Sequence, residues 1–348
     1  MPRKRLGAGV LVLGGAALLL ASLRGAEKAQ WPELEGYEQM KVPADNPMTL
    51  AKVGLGKQLY YDQRLSGDGT RSCYSCHLKE KGLTDGLATA VGAYQVKLPR
   101  SSPTLWNIGY HAEFYWDGRS KSLEAQAKAA WSGGNMGAAG KDGKPSPEEV
   151  CARLDNIEGY REQFQEVFGS GCTPDNVAKA LAAFMRTIVS EKSAWSRFRA
   201  GDQKALRAAA RRGWEIFQGK GRCVNCHAGL LLTDQQYHNA GIGWDAAKNE
   251  FADPGRSNAT KAERDKGAFK TPTLLDISKS APYFHNGSVA TLEEAVELML
   301  RGGIDNPWLD TANLRPPVEL TAAEKADLLA FLRWLDVQYT IKEPKLPK

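Results

Sequence analysis

Apolar residues recur at intervals of three and four along much of the chain, the spacing that places them on one face of an α-helix. The pattern predicts six helices, which begin near Val53, Ser146, Thr173, Lys204, Thr291 and Thr321. We expect the second helix to continue through Phe168 and the fourth to run from Lys204 to Gln218. Strand-like alternation does not persist beyond a few residues, so the predicted fold class is mainly α.

Three of the predicted helices begin with a capping box, in which a Ser or Thr precedes a Glu by three residues. The pairs are Ser146 and Glu149, Thr291 and Glu294, and Thr321 and Glu324. The segments between the helices are long and rich in Gly, Asn and Pro. Long loops in a compact domain usually have a function, and wrapping a large cofactor is one.

The N-terminus has the layout of a targeting segment. Arg3, Lys4 and Arg5 precede an uncharged run over residues 6–23. Cations followed by an apolar stretch are typical of a secretory signal, and this stretch is also long enough to span a bilayer. Residues 1–26 are therefore expected to be either a cleaved signal peptide or an uncleaved membrane anchor. Both alternatives place the rest of the chain in the periplasm.

The net charge of +6 is concentrated in the same segment. Residues 1–26 contain four cations and no acidic residue, so the remainder of the chain is nearly neutral. Nucleic-acid-binding proteins usually carry a strongly basic surface. The charge therefore gives no reason to expect nucleic acid as a partner.

Two pentapeptides have the pattern Cys-x-x-Cys-His. One contains Cys73, Cys76 and His77, and the other contains Cys223, Cys226 and His227. Two thiols at this spacing form thioether bonds to haem, and the adjacent imidazole binds the iron. A zinc site would need a second paired cluster in the same domain, and a redox dithiol does not require the histidine. We therefore expect two covalently attached haem c groups.

The two motifs divide the chain into two haem domains. The break falls near residues 190–205, between the third and fourth predicted helices. We expect an extended arm over residues 27–47, a first haem domain over 48–195 and a second, cytochrome c-like haem domain over 203–340. One motif in each domain indicates a duplicated or fused architecture.

The other two cysteines, Cys151 and Cys172, lie between the motifs. In an oxidising compartment they are expected to form a disulfide that closes a helical hairpin. Two buried free thiols are the alternative.

The ligand on the far side of each iron decides between electron transfer and catalysis. Met299 is the best candidate at the second haem, because it follows a Gly- and Asn-rich loop late on a predicted helix. A methionine in a helix can equally be core packing. No second ligand is evident for the first haem, where His111 is a candidate by position and an ordinary contact is the alternative.

Beyond the motifs, the chain resembles the bacterial dihaem cytochrome c peroxidase family, including its MauG- and MbnH-like branches. The resemblance extends from about Val42 to Leu335. The segments that carry it are Gly56–Asp62, Arg64–Ser66, Ser72–His77, Arg100–Thr104, Phe114–Arg119, Phe269–Leu274, Ala281–Gly287 and Ala290–Glu294.

The resemblance implies a role for each residue that matches a family position. His77 matches the proximal ligand of the peroxidatic haem, in the first domain. His227 matches the proximal ligand of the electron-transfer haem, and Met299 matches its axial methionine. The remaining matches are Trp116, which lies between the haems in the family and can relay oxidising equivalents, His285 near the second haem's propionates, and Gln126 on the distal side.

Three positions depart from the family pattern. Ala93 stands where reductively activated peroxidases have a distal histidine, so the first haem is expected to be open or water-bound. Asn135 replaces the distal glutamate, and an amide cannot exchange a proton near neutral pH. Ser101 replaces an asparagine that serves an inter-haem calcium, although the carbonyls of Ser280 and Pro282 are still available to such an ion.

The resemblance therefore implies a cytochrome-c peroxidase-type oxidoreductase. It would reduce hydrogen peroxide with electrons from a small donor protein, either a cytochrome c or a copper protein, through the second haem. One alternative is a MauG- or MbnH-like enzyme that oxidises Tyr or Trp residues of a partner protein. Another is a dihaem cytochrome that only transfers electrons, which Asn135 favours.

Overall fold

Helices and long loops make up nearly all of the described chain, as the apolar pattern predicts. The computed structural model describes residues 31–34, 36–191, 193–338 and 341–348. The predicted leader, residues 1–26, lies outside them. No helix among the described residues has the length and apolar character to cross a membrane.

The α-helices of the described residues are α1 Leu50–Tyr61, α2 Leu123–Ser132, α3 Pro147–Asp155, α4 Glu158–Phe168, α5 Pro174–Met185, α6 Ala194–Arg199, α7 Ala208–Gln218, α8 Ser257–Thr260, α9 Leu292–Leu300, α10 Thr311–Leu314 and α11 Ala322–Trp334. Two small antiparallel pairs complete the regular structure. Strand β1 Tyr237–His238 pairs with β4 Phe269–Lys270, and β2 Trp244–Asp245 pairs with β3 Glu250–Phe251.

All three predicted capping boxes form. At the start of α3, the Ser146 hydroxyl accepts from the backbone N–H of Glu149 at 3.2 Å, and the Glu149 carboxylate accepts from the backbone N–H of Ser146 at 2.6 Å. The same reciprocal pair opens α9 at Thr291 and α11 at Thr321. These local signals satisfy backbone donors that a helix N-terminus otherwise leaves unpaired.

Two predicted helix boundaries are wrong. The helix expected from Ser146 through Phe168 is broken, because Ile157 adopts an extended conformation between α3 and α4 while the apolar spacing continues on both sides. The helix expected from Lys204 begins at Ala208, after a short 3₁₀ turn at Gln203–Ala205. The pattern also missed α2, α6 and the short helices α8 and α10.

The two halves of the described chain repeat one packing device. Helices α1 and α5 cross where Gly56 meets the backbone of Ala180, and a Cβ at Gly56 would overlap the Ala180 carbonyl. Helices α7 and α11 cross in the same way at Gly213 and Asp327. Only glycine permits backbones to approach so closely.

A second repeated device follows each Cys-x-x-Cys-His motif. The segment Phe114–Ser120 closes on itself through a bridge between its ends, and Tyr283–Val289 does the same. Tyr115 and Phe284 have positive φ angles of 67° and 69° at equivalent places in these loops. Trp116 and His285 therefore occupy equivalent positions, which supports the duplicated architecture.

The segment that joins the halves is anchored on the second one. The ring of Trp195, on α6, lies 5.2 Å from the ring of Trp214 and 5.9 Å from that of Phe331. Its indole N–H donates to the carbonyl of Leu230 at 2.9 Å. The domain limits at 195 and 203 remain predictions, and residues 31–34 and 36–47 of the expected arm form no helix or strand.

Cys151 and Cys172 are neighbours in the buried core. They are free cysteines in the structure, with their sulfur atoms 2.6 Å apart. The disulfide expected for an oxidising compartment remains a prediction.

Candidate active site

A cleft surrounds the first Cys-x-x-Cys-His motif. It encloses about 1530 Å³, part of it open to solvent, and its walls include Cys73, Cys76 and His77. Gln126 and Asn135 also line this cleft. The structure thus brings the predicted attachment residues and the predicted distal residues of the first haem to one site.

A second cleft of about 1500 Å³ surrounds the other motif. Its walls include Cys223, Cys226 and His227, and it is lined mostly by apolar side chains. Met299 and His285 line the same cleft. Every residue predicted for the second haem therefore lies at this site.

The two motif histidines are held in the same way. Nδ1 of His77 donates to the carbonyl of Leu83, and Nδ1 of His227 donates to the carbonyl of Leu232, each at 3.0 Å. This bond leaves Nε2 as the nitrogen with a free lone pair. Burial lowers the pKa of both imidazoles, which keeps them in the neutral form that binds iron.

Lys270 and His111 are buried hydrogen-bond donors at the first cleft, and they bear on whether it suits a cofactor with negative charge. The buried Lys270 ammonium donates to the carbonyl of Glu113 at 2.6 Å and to Nδ1 of His111 at 3.1 Å. Because a lysine can only donate, the remaining His111 proton lies on Nε2, and this buried atom has no hydrogen-bond partner. Burial also lowers the pKa of Lys270 to about 8.

These two donors line the first cleft, and within the described part of the chain their terminal nitrogens contact no carboxylate. Unpaired buried donors are costly unless an acceptor completes them. A haem c group brings two propionates, so the residues present fit that cofactor. The same tautomer places a proton on the His111 nitrogen that would have to bind iron, which disfavours His111 as an axial ligand.

The distal wall of the first cleft is polar but carries no acid. The amide side chains of Gln126 and Asn135 line it, and no Asp or Glu does so among the described residues. Two methionines, Met136 and Met185, also line this cleft, so thioether sulfur is available there as well. The wall can donate and accept hydrogen bonds, but it lacks a carboxylate to move a proton.

The second cleft contains three further candidates for the iron. Met299 is 37% exposed on the cleft wall, whereas its helix neighbours Leu298 and Leu300 are buried, so it does not serve as core packing. His238 contacts Asp310 through Nδ1 at 2.5 Å and Asp234 through Nε2 at 2.8 Å.

Both nitrogens of His238 therefore donate to carboxylates, and its hydrogen bond to Asp234 above all raises its pKa. An imidazolium has no lone pair for iron. The His285 ring stacks on Phe269 with a centroid separation of 3.6 Å. Met299 is thus the side chain of the three that is best suited to bind iron.

The two clefts share a wall formed by Trp116, Lys270 and Pro272. The indole N–H of Trp116 donates to the carbonyl of Ser101 at 3.0 Å, and the backbone N–H of Lys270 donates to the carbonyl of Trp116 at 2.8 Å. Trp116 is fixed at both its ring and its backbone. Trp116 therefore lines both clefts, and its position between the haems remains a prediction.

Arg100 forms ion pairs with two aspartates beside this wall. Its guanidinium contacts Asp117 at 2.7 Å and binds Asp253 through two nitrogens, at 2.6 and 2.9 Å. The adjacent Ser101 donates through its backbone N–H to the carbonyl of His285 and through its hydroxyl to the carbonyl of Phe284. The segment carrying Trp116 and the segment carrying His285 are joined through these two residues.

Two sequence-based expectations need adjustment. Ala93 is fully buried and does not line the first cleft, because its backbone packs under the turn at Asn135. The Ser101 hydroxyl is engaged with Phe284, and calcium remains a prediction.

Among the described residues, the cluster of His, Cys, Asp and Glu side chains close enough to share a metal is Cys226, Asp234 and His238. Cys226 is needed for haem attachment, so this cluster is not a separate metal site.

The sequence did not single out Lys270, His111 as its partner, or Glu113. Glu113 accepts from Tyr237 at 2.6 Å and from Arg256 at 2.9 Å, and it also pairs with Lys121. These contacts hold its pKa near 2 despite the opposing effect of burial. A single charged residue within the uncharged remainder of Phe269–Leu274 was the available signal for Lys270.

Comparison with known proteins agrees with this site. Residues 50–204 match the family described as di-haem cytochrome c peroxidase. A cytochrome-c peroxidase, IdrP1 of Denitromonas iodatirespirans, is 38% identical, and the match covers 97% of this chain and 96% of the relative. The methylamine utilization protein MauG of Methylorubrum extorquens is also 38% identical, over 89% of this chain and 85% of the relative.

A solved structure is similar over most of its length. The crystal structure of a MauG-like protein associated with microbial copper homeostasis has a TM-score of 0.79 and 31% identity. The match covers 89% of this chain and 96% of that protein. The two Cys-x-x-Cys-His motifs each line a cleft, in agreement with the family match and the relatives. The chain belongs to the di-haem cytochrome c peroxidase family.

Proposed function

We propose that this protein reduces hydrogen peroxide in the first cleft with electrons that enter through the second. The observation that carries the proposal is the asymmetry of the two clefts. The second combines His227 with a methionine that faces the cleft, whereas the first combines His77 with the amide side chains of Gln126 and Asn135. A haem with two strong protein ligands suits electron transfer, and one with a free position suits catalysis.

When bound, the haem c groups supply peroxide activation in the first cleft and electron storage in the second. Cys73 and Cys76 would attach the first group and His77 would bind its iron. Lys270, on the shared wall, and the Nε2–H of His111, in the first cleft, would bind a propionate. Gln126 and Asn135 would orient peroxide by hydrogen bonds.

Cys223 and Cys226 would attach the second group, and His227 and Met299 would bind its iron. His285 would pack beside it on Phe269, and Trp116 would shorten the path for electrons between the clefts. The donor is proposed to be a small redox protein, either a cytochrome c or a copper protein. The chain is proposed to act in the periplasm, as its N-terminal sequence suggests.

The proposal is tested by peroxide-dependent oxidation of a reduced cytochrome c or copper protein with the holoprotein. Met299→Ala should slow donor oxidation at least tenfold, about 1.4 kcal/mol in the barrier. Met48→Ala is the matched control, since Met48 lines neither cleft. Equal rates in Met299→Ala and the unaltered protein would remove the second cleft as the entry site.

Oxidation of Tyr or Trp residues on a partner protein is the second candidate. The open first haem expected from Ala93, which stands where reductively activated peroxidases have a distal histidine, favours it. Peroxide treatment of the holoprotein with neighbouring secreted proteins, followed by mass spectrometry, tests it. New Tyr or Trp cross-links or hydroxylations that depend on His77 would support this function, and their absence would exclude it for those partners.

A further inference from the structure

Three tyrosines form a continuous row beside the first cleft, and we refer to Tyr60, Tyr61 and Tyr74 as the tyrosine row. Tyr60 lines the cleft, and its hydroxyl donates to the carbonyl of His77 at 3.3 Å. Its ring centroid lies 5.4 Å from that of Tyr61 and 6.4 Å from that of Tyr74. The rings of Tyr61 and Tyr74 are 4.6 Å apart.

The row leads from the interior to the surface. Tyr60 is completely buried and Tyr61 is 7% exposed, while Tyr74 is only half-buried. The Tyr74 hydroxyl donates to Oε2 of the exposed Glu80 at 3.4 Å. One end therefore contacts the backbone of the proximal histidine, and the other ends at a carboxylate in solvent.

This arrangement has the parts that tyrosine oxidation needs. Phenols are among the protein side chains most readily oxidised, but a stable neutral radical forms only if the hydroxyl also loses its proton. A hydrogen-bonded carboxylate can accept that proton. Electron tunnelling falls steeply with distance, so rings at the contact distances of packed aromatic pairs can pass an electron in short steps.

We propose that the tyrosine row is an exit for oxidising equivalents that ends at Tyr74, a surface site for small one-electron reductants such as phenols or ascorbate. The inference rests on the proposed peroxide reaction in the first cleft. Tyr74 gives one electron, through Tyr61 and Tyr60, to the peroxide-oxidised haem, which is thereby reduced by one equivalent. The phenolic proton goes to Glu80, and a small reductant then returns one electron and one proton to Tyr74.

The experiment uses the full-length holoprotein with a small excess of peroxide and no donor protein. Freeze-quenched electron paramagnetic resonance measures tyrosyl radical, absorption spectra follow the oxidised haem, and peptide mass spectrometry locates modified tyrosines. We expect Tyr74 to be the main modified tyrosine. Tyr74→Phe should reduce the radical yield several-fold and prolong the oxidised haem state several-fold.

Two further variants complete the design. Tyr60→Phe keeps the ring but not the oxidisable hydroxyl, so it should protect Tyr74 from modification although Tyr74 is present. Tyr94→Phe is the control, because Tyr94 is 38% exposed and lines neither cleft. It should change neither the radical yield nor the haem decay.

The outcomes separate the two proposals. If peroxide oxidises the haem but Tyr74→Phe changes neither radical yield nor decay, the tyrosine row is overturned and the peroxidase proposal stands. If the modified residue is Tyr94, the row is likewise overturned. If peroxide leaves the haem spectrum unchanged, the peroxidase proposal fails and this inference fails with it.

Discussion

The two clefts are alike around the motif histidine and differ in the other side chains that line them. In both, a Cys-x-x-Cys-His motif forms a short turn and the histidine donates Nδ1–H to a backbone carbonyl at 3.0 Å. Met299 lines the cleft of His227, whereas the amides of Gln126 and Asn135 line the cleft of His77. We therefore expect the division between electron storage and catalysis to depend on a few side chains that line the two clefts.

The largest expected effect concerns Asn135. Asn135→Glu would supply the first cleft with the carboxylate it lacks, and general acid–base groups typically contribute about 10²-fold or more to rate. We expect peroxide turnover to rise by roughly 10²-fold, measured with a reduced cytochrome c as donor. Asn135→Gln is the matched control that keeps an amide, and it should show no such gain. A similar rate in both variants would mean that proton transfer does not limit the first cleft.

Methionine replacements test which cleft uses thioether ligation. Met299→Leu should lower the reduction potential of the second haem by on the order of 0.1 V, because axial ligands set haem potentials over about 0.8 V and methionine raises them. Redox titration followed by absorption measures the change. Met136→Leu and Met185→Leu, in the first cleft, should leave both haem spectra intact. Loss of a low-spin haem in either would show that the first haem is also methionine-bound.

Trp116 tests the connection between the clefts. Trp116→Phe keeps an aromatic ring in the shared wall but removes the indole and its bond to Ser101. We expect electron transfer from the second haem to the first to slow about tenfold, corresponding to about 1.4 kcal/mol. Stopped-flow absorption of the half-reduced protein mixed with peroxide would measure it. An unchanged rate would assign Trp116 a packing role only.

The smallest expected effect concerns Lys270. Lys270→Met removes a buried positive charge from the shared wall, and a lost charge-assisted hydrogen bond is worth about 1.5 kcal/mol. The oxidised haem would then be favoured, so the potential of the haem that it serves should fall by on the order of 50 mV. Lys270→Arg keeps the charge, so the haem potential should fall less in this variant. Unchanged potentials in Lys270→Met would contradict propionate binding by this lysine.

Features encoded locally could be predicted from the sequence. Capping boxes at Ser146, Thr291 and Thr321 gave correct helix starts, because a cap depends on residues three positions apart. The break between α3 and α4 was missed because Ile157 leaves the helix while the apolar spacing continues. Helix α2 has a short and weakly apolar sequence, and its packing rather than its pattern reveals it.

The site shows the same division. The Cys-x-x-Cys-His motifs identify haem attachment because five adjacent residues contain the chemistry. Met299 and His285, which the resemblance assigns to the second haem, line the second cleft, and Trp116 lines both clefts. Lys270 and His111 could not be paired in advance, since they are far apart in sequence and meet only in the folded chain, at the first cleft. The pairing of both His238 nitrogens with carboxylates likewise depends on the fold.

The most direct test of unequal clefts is the electron paramagnetic resonance spectrum of the resting, fully oxidised holoprotein, recorded with its absorption spectrum. We predict one high-spin ferric haem in the first cleft and one low-spin haem with histidine and methionine ligands in the second. Met299→Leu should change only the low-spin signal of the second haem and leave the high-spin signal of the first haem as it is. Two low-spin haems in the unaltered protein would contradict the account and favour a dihaem cytochrome that only transfers electrons.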